Sequence, residues 1–328
     1  MANVAINGLG RIGRATLKQL VGHPKLKLVA ANDLASLDNL VYLLRYDTVY
    51  GRSPAFGTEG DTLVTNGARI PVFHEADPSK LPWKDLEVDL VFECTGQFTN
   101  RQALEAHTRA GAQKALLSAP SKKDDMPFVV PGVNQAGDAQ LFSVASCTTN
   151  CIAPVVEIVG RRVGVLKAAM TTVHAYTSSQ AIVDAPAKKP ERGRAGAANL
   201  VPTSTGAAKA TAAVMPQYTG KFDGLAIRAP VPTGSVADLT FVLEKPTSVD
   251  EVNGMFREEA ASERYRGIVE VSDDALVSSD IVGTESAAVI ALPLTRVIDG
   301  DLLKVFAWYD NEWGYVAQMI REAVKVTA

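Results

Sequence analysis

The chain has few cysteines, few aromatic residues and no long apolar run. Its three cysteines are an odd number in 328 residues. They make a poor disulfide framework and are typical of a reducing cytoplasm. No apolar stretch approaches the roughly 20 residues that cross a bilayer, and the N-terminus lacks the pattern of a secretion signal. A net charge of −3 gives no reason to expect nucleic acid or an anionic membrane as a partner. We therefore expect a cytoplasmic protein with no nucleic-acid and no membrane partner.

The size and composition are those of a globular protein with a substantial core. With 47% hydrophobic and 21% charged residues, the chain suits two domains or one large domain. No internal repeat, low-complexity tract or flexible linker interrupts it.

A glycine-rich turn follows the first apolar strand. Gly8, Gly10 and Gly13 lie between a predicted strand at 4–6 and a predicted helix, which is the context of a dinucleotide-binding turn. A glycine-rich turn without a ligand is the alternative. Asp33 favours the dinucleotide, because it ends a second strand about twenty residues after the last glycine, where a carboxylate binds the adenosine ribose. An acid there repels a 2′-phosphate, so NAD is favoured over NADP.

Strands and helices continue to alternate after this turn. Predicted strands at 88–92 and 114–117 flank a predicted helix at 103–110. This alternation predicts a parallel sheet with helices on both faces, the Rossmann-type doubly wound α/β fold. Ligands bind beyond the carboxyl ends of such strands, where Thr95 and Ser118 lie.

Cys147 lies between a predicted strand at 142–145 and a run of apolar residues with helical spacing. A helix N-terminus favours the thiolate, which is the reactive form of cysteine. Pro154 indicates that the regular helix starts near it or is kinked by it. His174, on another predicted strand, is a candidate base for this nucleophile. The alternative is a buried, inert cysteine, the usual state of an isolated one.

A metal site is not expected at these residues. Cys147, Cys151 and His174 lack a fourth ligand at zinc spacing.

The second half of the chain has a different pattern. Its predicted strands are 169–176, 225–231, 235–243, 268–271 and 287–292, with an Asp-Gly hairpin at 297–303 and one amphipathic helix at the end. A mostly antiparallel sheet backed by helices is the natural interpretation.

Residues 178–200 form a long segment without periodicity, which is either functional or a solvated basic loop. Arg228 interrupts an apolar strand, where a charge needs a partner, and an arginine there is suited to binding phosphate.

Four motifs resemble, in order, those of phosphorylating glyceraldehyde-3-phosphate dehydrogenases. They are Ser146-Cys-Thr-Thr-Asn150, Thr172-Val-His-Ala-Tyr-Thr177, Pro202-Thr-Ser-Thr-Gly206 and Trp308-Tyr-Asp-Asn-Glu-Trp-Gly-Tyr315. The resemblance runs from Asn3 to the C-terminus. It implies an NAD-binding Rossmann domain at residues 1–147 and an α+β catalytic domain at 148–311, with a closing helix at 312–328 that packs back on the first domain. It also implies a homotetramer, in which segment 178–200 folds over the cofactor and packs against a neighbouring subunit.

The same resemblance implies the activity and the site residues. The reaction would be the oxidation of D-glyceraldehyde 3-phosphate to 1,3-bisphosphoglycerate with NAD and inorganic phosphate, in glycolysis and gluconeogenesis. Cys147 would form a thiohemiacetal and then a thioester, with His174 as the base. The residues implied for two phosphate sites are Ser146, Thr148, Thr177, Arg192, Thr205, Gly206 and Arg228. Those implied for the cofactor are Gly8, Gly10, Arg11, Ile12, Gly13, Asp33, Thr95, Gly96, Ser118, Asn311 and Tyr315.

Several positions depart from the family pattern. Ala76 stands where arginine is usual, Ser178-Ser179 where Asn-Asp is common in bacterial members, and Ala185 where leucine is commoner. In the family, residue 185 lies near the adenine ribose. The smaller side chain of Ala185 there predicts NADP as a secondary cofactor. Two alternatives for the function stay open. One is an erythrose-4-phosphate dehydrogenase with the same fold and Cys–His pair, and the other is a nucleotide-binding regulatory protein with a vestigial site.

Overall fold

A computed structural model describes residues 1–123 and 125–328, and these form two compact units. The first unit comprises Met1–Val129, Gln135–Ser146 and Val316–Ala328, and the second comprises Val130–Asn134 and Cys147–Tyr315.

The first unit is built on a mostly parallel sheet. Its strands are β1 (Ala2–Asn7), β2 (Leu26–Asn32), β3 (Tyr46–Asp47), β4 (Gly51–Arg52), β5 (Phe56–Glu59), β6 (Thr62–Thr65), β7 (Ala68–Phe73), β8 (Leu90–Glu93), β9 (Lys114–Leu117) and β10 (Leu141–Ser143). Its helices are α1 (Arg11–Leu20), α2 (Leu37–Arg45) and α3 (Arg101–Arg109). The main sheet has the order β10-β9-β8-β1-β2-β7-β6-β5. It is parallel from β10 to β7 and antiparallel at β6 and β5.

The central strands of this sheet are apolar and buried along their length. All four residues of β8 are buried, as strands covered on both faces require. One hydrophobic core contains Ala5, Val91 and Ala115 from three adjacent strands. Trp83 and the α3 residue Leu104 pack in the same core. This packing holds the carboxyl ends of β1, β2 and β8 at one edge of the sheet.

The second unit is built on a mixed, mostly antiparallel sheet. Its strands are β11 (Val165–Ala175), β12 (Val201–Ser204), β13 (Phe222–Ala229), β14 (Ser235–Leu243), β15 (Val269–Ser272), β16 (Ala288–Ala291), β17 (Arg296–Ile298) and β18 (Leu302–Tyr309). Its helices are α4 (Cys147–Arg162), α5 (Ala207–Val214), α6 (Val249–Ala261) and the first turn of α7 (Trp313–Val326). The order is β12-β13-β11-β14-β18-β16-β15, with β17 on β18. The β11–β13 and β15–β16 pairs are parallel, whereas β14 pairs antiparallel with both β11 and β18.

The predicted fold class is confirmed, and so is the Asp-Gly hairpin. Asp299 and Gly300 have φ of +50° and +78°, the left-handed pair that a tight hairpin turn between β17 and β18 needs. Of the two alternatives for Pro154, a helix that starts near it is wrong, because α4 begins at Cys147 and runs through Pro154, and a kink there stays a prediction. The proline removes one backbone N–H. Apolar residues of α4 are buried on both sides of it, and the helix packs on β14, β16 and β18.

No helix in residues 1–123 and 125–328 is long and apolar enough to cross a membrane.

Candidate active site

Cys147 is the first residue of α4 and follows a strained turn at the end of β10. Ala145 has a φ of +48°, a left-handed conformation that costs a non-glycine residue roughly 1–2 kcal/mol. The Ser143 hydroxyl supports the turn, since it accepts the Ala145 N–H at 3.0 Å and donates to the Ala119 carbonyl at 2.6 Å. The predicted strand at 142–145 therefore ends two residues early. The turn delivers the sulfur to the N-terminus of the helix.

Cys147 and His174 lie in contact. The Sγ of Cys147 is 3.4 Å from Nε2 of His174, which is near the end of β11 and only 5% exposed. Nδ1 of this histidine is 2.7 Å from the Ala175 carbonyl oxygen. Nδ1 also lies 2.8 Å from Nη1 of Arg228, which only donates, so Nδ1 faces one acceptor and one donor. In the tautomer with the proton on Nδ1, Nε2 accepts from the thiol.

The electrostatics of the pair differ from the sequence-based expectation. Burial lowers the pKa of His174 to about 3, and the charges of Arg228 and Arg192 add to the effect. Burial raises the pKa of Cys147, opposed by the charge of Arg228 and by hydrogen bonds from Thr148. Burial thus favours a neutral thiol beside a neutral imidazole, whereas the helix N-terminus and the charge of Arg228 favour the thiolate.

Arg228 is the cation nearest to this pair. It lies on β13 in register with His174 on β11, with Nη1 2.8 Å from Nδ1 of His174 and 2.9 Å from the Ala175 carbonyl. Its Nε is buried and has no partner among the described residues. Burial lowers the pKa of Arg228. A buried guanidinium with an unused donor has the chemistry to bind an anion.

Tyr309 is a site residue that sequence reasoning missed. Its hydroxyl lies 2.9 Å from Oγ1 of Thr148 and 2.8 Å from Oγ1 of Thr172. Its ring stands edge-on to His174, with centroids 5.9 Å apart. Burial raises the pKa of this phenol. The available signal was its place as an inward-facing polar residue at the end of an alternating strand, β18.

The other predicted phosphate residues are placed by local hydrogen bonds. Arg192 donates from Nε to the Thr203 hydroxyl at 3.2 Å and from Nη2 to the Ser204 carbonyl at 3.3 Å. Thr205 accepts the Ala207 N–H at 3.2 Å, just before α5, and Gly206 is the N-cap of that helix. The Thr177 hydroxyl bonds to Ser179 at 2.8 Å, and Ser146 is half-buried beside Cys147. Thr148 and Arg228 are thus the members of this set that contact the Cys–His pair.

In the first unit, the glycine-rich turn has the shape of a phosphate cradle. A Cβ on Gly8 (φ +94°) would lie 2.7 Å from the Thr95 nitrogen, and one on Gly13 would lie 1.8 Å from the Gly8 oxygen. A Cβ on Gly10 would meet nothing within 4 Å, so this side of the turn is open. Gly10 caps α1 without a side-chain hydrogen bond, and the first turn of the helix has no acidic residue. A pyrophosphate fits this helix N-terminus.

The remaining predicted cofactor residues of the first unit surround this turn. Asp33 accepts the Leu9 N–H at 2.6 Å and the Ala35 N–H at 2.9 Å, and Arg11 pairs with Asp47 at 2.9 Å. The carbonyl of Ile12 accepts the Thr16 hydroxyl. Gly96 has a φ of +70°, and the Ser118 N–H donates to the Glu93 carbonyl at 3.0 Å.

Asn311 and Tyr315 are buried in the second unit. Oδ1 of Asn311 accepts the hydroxyls of Ser235 at 2.8 Å and Thr233 at 3.2 Å, and Tyr315 lies in the first turn of α7. Ser235 in turn accepts the Ala175 N–H at 3.0 Å, which ties Asn311 to the strand that carries His174. The cofactor role of both residues stays a prediction.

Within the described part of the chain, no group of three or more His, Cys, Asp or Glu side chains is placed to hold a metal ion.

Comparison with protein families accounts for both units. Residues 2–101 match the NAD-binding domain of glyceraldehyde 3-phosphate dehydrogenase, and residues 146–311 match its C-terminal domain. The chain belongs to the glyceraldehyde-3-phosphate dehydrogenase family. It is 45% identical over 323 residues to the glyceraldehyde-3-phosphate dehydrogenase of Streptomyces coelicolor, covering 97% of this chain and 96% of that protein. It is 44% identical over 330 residues to the enzyme of Clostridium pasteurianum, covering 98% and 97%, and 46% identical over 328 residues to that of Mycobacterium bovis, covering 97% and 96%.

Membership of the glyceraldehyde-3-phosphate dehydrogenase family confirms several predictions made from the sequence. The chain is an NAD-dependent oxidoreductase with a Rossmann-type cofactor domain.

Proposed function

We propose that this chain oxidises D-glyceraldehyde 3-phosphate to 1,3-bisphosphoglycerate with NAD and inorganic phosphate, through a thioester on Cys147. The observation that carries the proposal is the 3.4 Å contact between Sγ of Cys147 and Nε2 of His174, beside a buried arginine. A nucleophile, a base and a cation in contact are the parts that acyl transfer to phosphate needs.

The first step is addition of the thiol to the aldehyde. As the S–C bond forms, Nε2 of His174 takes the proton from Sγ and passes it to the new hydroxyl, which gives a thiohemiacetal. The low pKa of His174 keeps Nε2 free to accept this proton. The N–H of Cys147, at the start of α4, donates to the oxygen as charge develops there.

The second step is oxidation of the thiohemiacetal. Bound NAD supplies the hydride acceptor. Nε2 of His174 accepts the hydroxyl proton as the C=O bond forms, so the product is a thioester and the energy of the oxidation is conserved.

The third step is attack on the thioester by inorganic phosphate, and it requires two anion sites. Arg228 with Thr177 suits one phosphate, and Thr148 with Thr205, Gly206 and Ser146 suits the other, while Arg192 serves both. Support comes from the unpartnered buried Nε of Arg228 and from the position of Gly206 at the N-terminus of α5. The imidazolium of His174 returns its proton to the departing sulfur.

We further propose that Gly8, Gly10, Arg11, Ile12 and Gly13 hold the cofactor pyrophosphate. Asp33 would hold the adenosine ribose and favour NAD, with NADP as a secondary cofactor, and Thr95, Gly96 and Ser118 would line the same edge of the sheet. The open space at Gly10 and the uncapped start of α1 support this assignment.

Two broader proposals concern assembly and location. We propose a homotetramer, because Ile182, Val183 and Leu200 in segment 178–200 are 87%, 72% and 68% exposed, and large apolar side chains left in water favour association. We propose a cytoplasmic location, because a reducing compartment keeps the free thiol of Cys147 available for the reaction.

The decisive experiment is an NADH-absorbance assay with glyceraldehyde 3-phosphate, NAD and phosphate. Cys147→Ser should abolish turnover while NAD binding, measured by calorimetry, stays near that of the wild type. Cys151→Ser is the matched control, because Cys151 is buried on the same helix with its sulfur 3.8 Å from the Ala307 carbonyl. Wild-type turnover in Cys147→Ser would contradict the proposal. Faster turnover with erythrose 4-phosphate than with the triose phosphate would contradict the proposed substrate.

A further inference from the structure

A buried carboxylate lies at the end of β8, next to the residues of the glycine-rich turn. Glu93 is 0% exposed. Its Oε1 accepts the Thr95 N–H at 2.8 Å and also the Thr95 hydroxyl. Its Oε2 accepts from Nδ2 of Asn7 at 2.7 Å and lies 3.0 Å from Nε2 of His107. Four hydrogen-bonding groups therefore converge on one buried side chain.

The tautomer of His107 is fixed by a hydrogen bond from Trp83. Nε1 of Trp83 lies 3.1 Å from Nδ1 of His107, and both side chains are 0% exposed. An indole N–H only donates, so Nδ1 must be the accepting nitrogen. The proton of the neutral ring is therefore on Nε2, where it donates to Glu93.

The orientation of Asn7 is fixed from the other side. Its Oδ1 accepts from Nδ2 of Asn32 at 2.7 Å. Asn32 is itself oriented by a backbone group at each end of its amide, since Nδ2 donates to the Glu75 carbonyl at 2.9 Å and Oδ1 accepts the Glu75 N–H at 2.8 Å. A flipped Asn32 would set donor against donor and acceptor against acceptor, so Nδ2 of Asn7 must point to Glu93.

The polarity of this carboxylate network (Trp83, His107, Glu93, Asn7 and Asn32) is thus set at both ends by groups that cannot reverse. At its centre every neighbour is a donor, and an acceptor-only side chain is required. A glutamine at this position would turn its amide N–H groups toward donors, and a buried donor left without an acceptor is costly.

The carboxylate network spans the edge of the sheet where the cofactor residues lie. Asn7 ends β1 directly before Gly8, and Asn32 ends β2 directly before Asp33. The backbone of Thr95, which Glu93 holds, packs so closely on Gly8 that a Cβ there would be 2.7 Å away. Displacement of Thr95 would therefore displace the turn.

We propose that Glu93, oriented by His107 and Asn7, is a positioning residue that sets the affinity for NAD by holding Gly8 and Thr95 in their binding geometry. The inference rests on the proposed cofactor roles of Gly8, Asp33 and Thr95. It assigns no part in the chemistry on Cys147 to Glu93.

The test is a double-mutant cycle read by NAD titration calorimetry. Glu93→Gln should weaken NAD binding by roughly tenfold, because the unmatched buried donor displaces Thr95 and Gly8 from their binding geometry, and should raise KM for NAD more than it lowers kcat. Trp83→Phe frees Nδ1 of His107 to carry the proton, so that Nε2 can accept from the glutamine. The double variant should therefore bind NAD more tightly than Glu93→Gln alone. A purely structural role predicts instead that both single variants lower the melting temperature while the Kd for NAD stays unchanged.

Leu104→Ala is the matched control. Leu104 lies on α3 one turn before His107 and is 0% exposed in the same core as Trp83, so the substitution destabilises the unit through a cavity without removing any hydrogen bond of the carboxylate network. Its melting temperature should fall while the Kd for NAD stays within about twofold of wild type. Equal loss of NAD affinity in this control, an unchanged Kd in Glu93→Gln, or a double variant weaker than Glu93→Gln would each overturn the inference. Failure of the wild type to bind NAD would instead contradict the proposed cofactor residues.

Discussion

At the scale of single residues, the reactivity of Cys147 depends on a balance between burial and one nearby cation. Burial raises the pKa of the thiol, and the charge of Arg228 is the largest opposing effect. The same charge helps to lower the pKa of His174. Arg228 therefore favours both the thiolate and the unprotonated imidazole, in addition to any phosphate that it binds.

This balance predicts a shift in the pH dependence of alkylation. Arg228→Ala removes a cation that favours the thiolate, so the pKa of Cys147 should rise further. The midpoint of the rate of iodoacetamide modification against pH should move to higher pH. The measurement is the loss of free thiol at Cys147, followed by peptide mass spectrometry in the absence of substrate.

Arg228→Lys is the control for that shift, because it keeps the charge and loses the guanidinium geometry. The pH midpoint of alkylation in this variant should stay close to that of the wild type. Turnover should fall, because lysine cannot bind phosphate through two parallel hydrogen bonds. A midpoint in Arg228→Ala that stays fixed or moves to lower pH would contradict the electrostatic account.

The residue types of the site and the pairing of Cys147 with His174 were predictable from the sequence, but the contacts of Tyr309 were not. Cys147 and His174 could be paired because a nucleophile and a base are complementary in chemistry, and each stands in its own motif. The edge-on contact of Tyr309 with His174 and the hydrogen bonds of Tyr309 to Thr148 and Thr172 depend on the register of β18, β14 and β11. Register is set by packing across the sheet, which local patterns do not contain.

At the scale of elements, strands with continuous apolar runs and helices with regular spacing were predicted well. The strand at 114–117 and the strand at 235–243 have the predicted bounds. Helix α2 and the antiparallel β5–β7 segment were not predicted. The strands β5 and β6 have four residues each, too few for alternation to distinguish them from turns.

One element carries a buried acid that makes stability depend on pH. Glu322 on α7 is 1% exposed, its Oε1 has no partner among the described residues, and burial raises its pKa from an ordinary value of 4.5. A carboxyl group whose pKa is raised by folding destabilises the folded state above its unfolded pKa, so the free energy of unfolding falls as pH rises through the folded pKa.

Glu322→Gln should remove this fall in the free energy of unfolding at higher pH. The variant should gain more stability over the wild type at about pH 8 than at about pH 5, because the charged fraction of the buried wild-type carboxyl group, and with it the cost of burial, increases with pH. Urea denaturation midpoints at the two pH values measure the difference. Glu105→Gln, an exposed member of a surface pair with Arg109, should show no such trend. A difference between variant and wild type that does not change with pH would contradict the assigned effect of burial.

At the scale of the whole molecule, the order of motifs along the chain predicts more than any one motif does. A glycine-rich turn alone is common, and so is an isolated cysteine. Their order, with the phosphate motif and the final aromatic motif behind them, restricts the family. What this order leaves undetermined is how copies of the chain associate, because association depends on surface side chains that the catalytic motifs do not contain.

Segment 178–200 provides the test of association. Ile182 and Val183 are 87% and 72% exposed, and an apolar side chain that becomes buried at an interface stabilises the complex. Replacing both with glutamate places two like charges in the proposed interface, so we expect the proposed homotetramer to dissociate into smaller species in light scattering coupled to size exclusion. Val277→Glu is the control, since Val277 is also exposed, at 56%, but lies outside the segment. A double variant that keeps the wild-type mass, or a wild type that is monomeric at assay concentration, would show that these side chains are exposed for another reason.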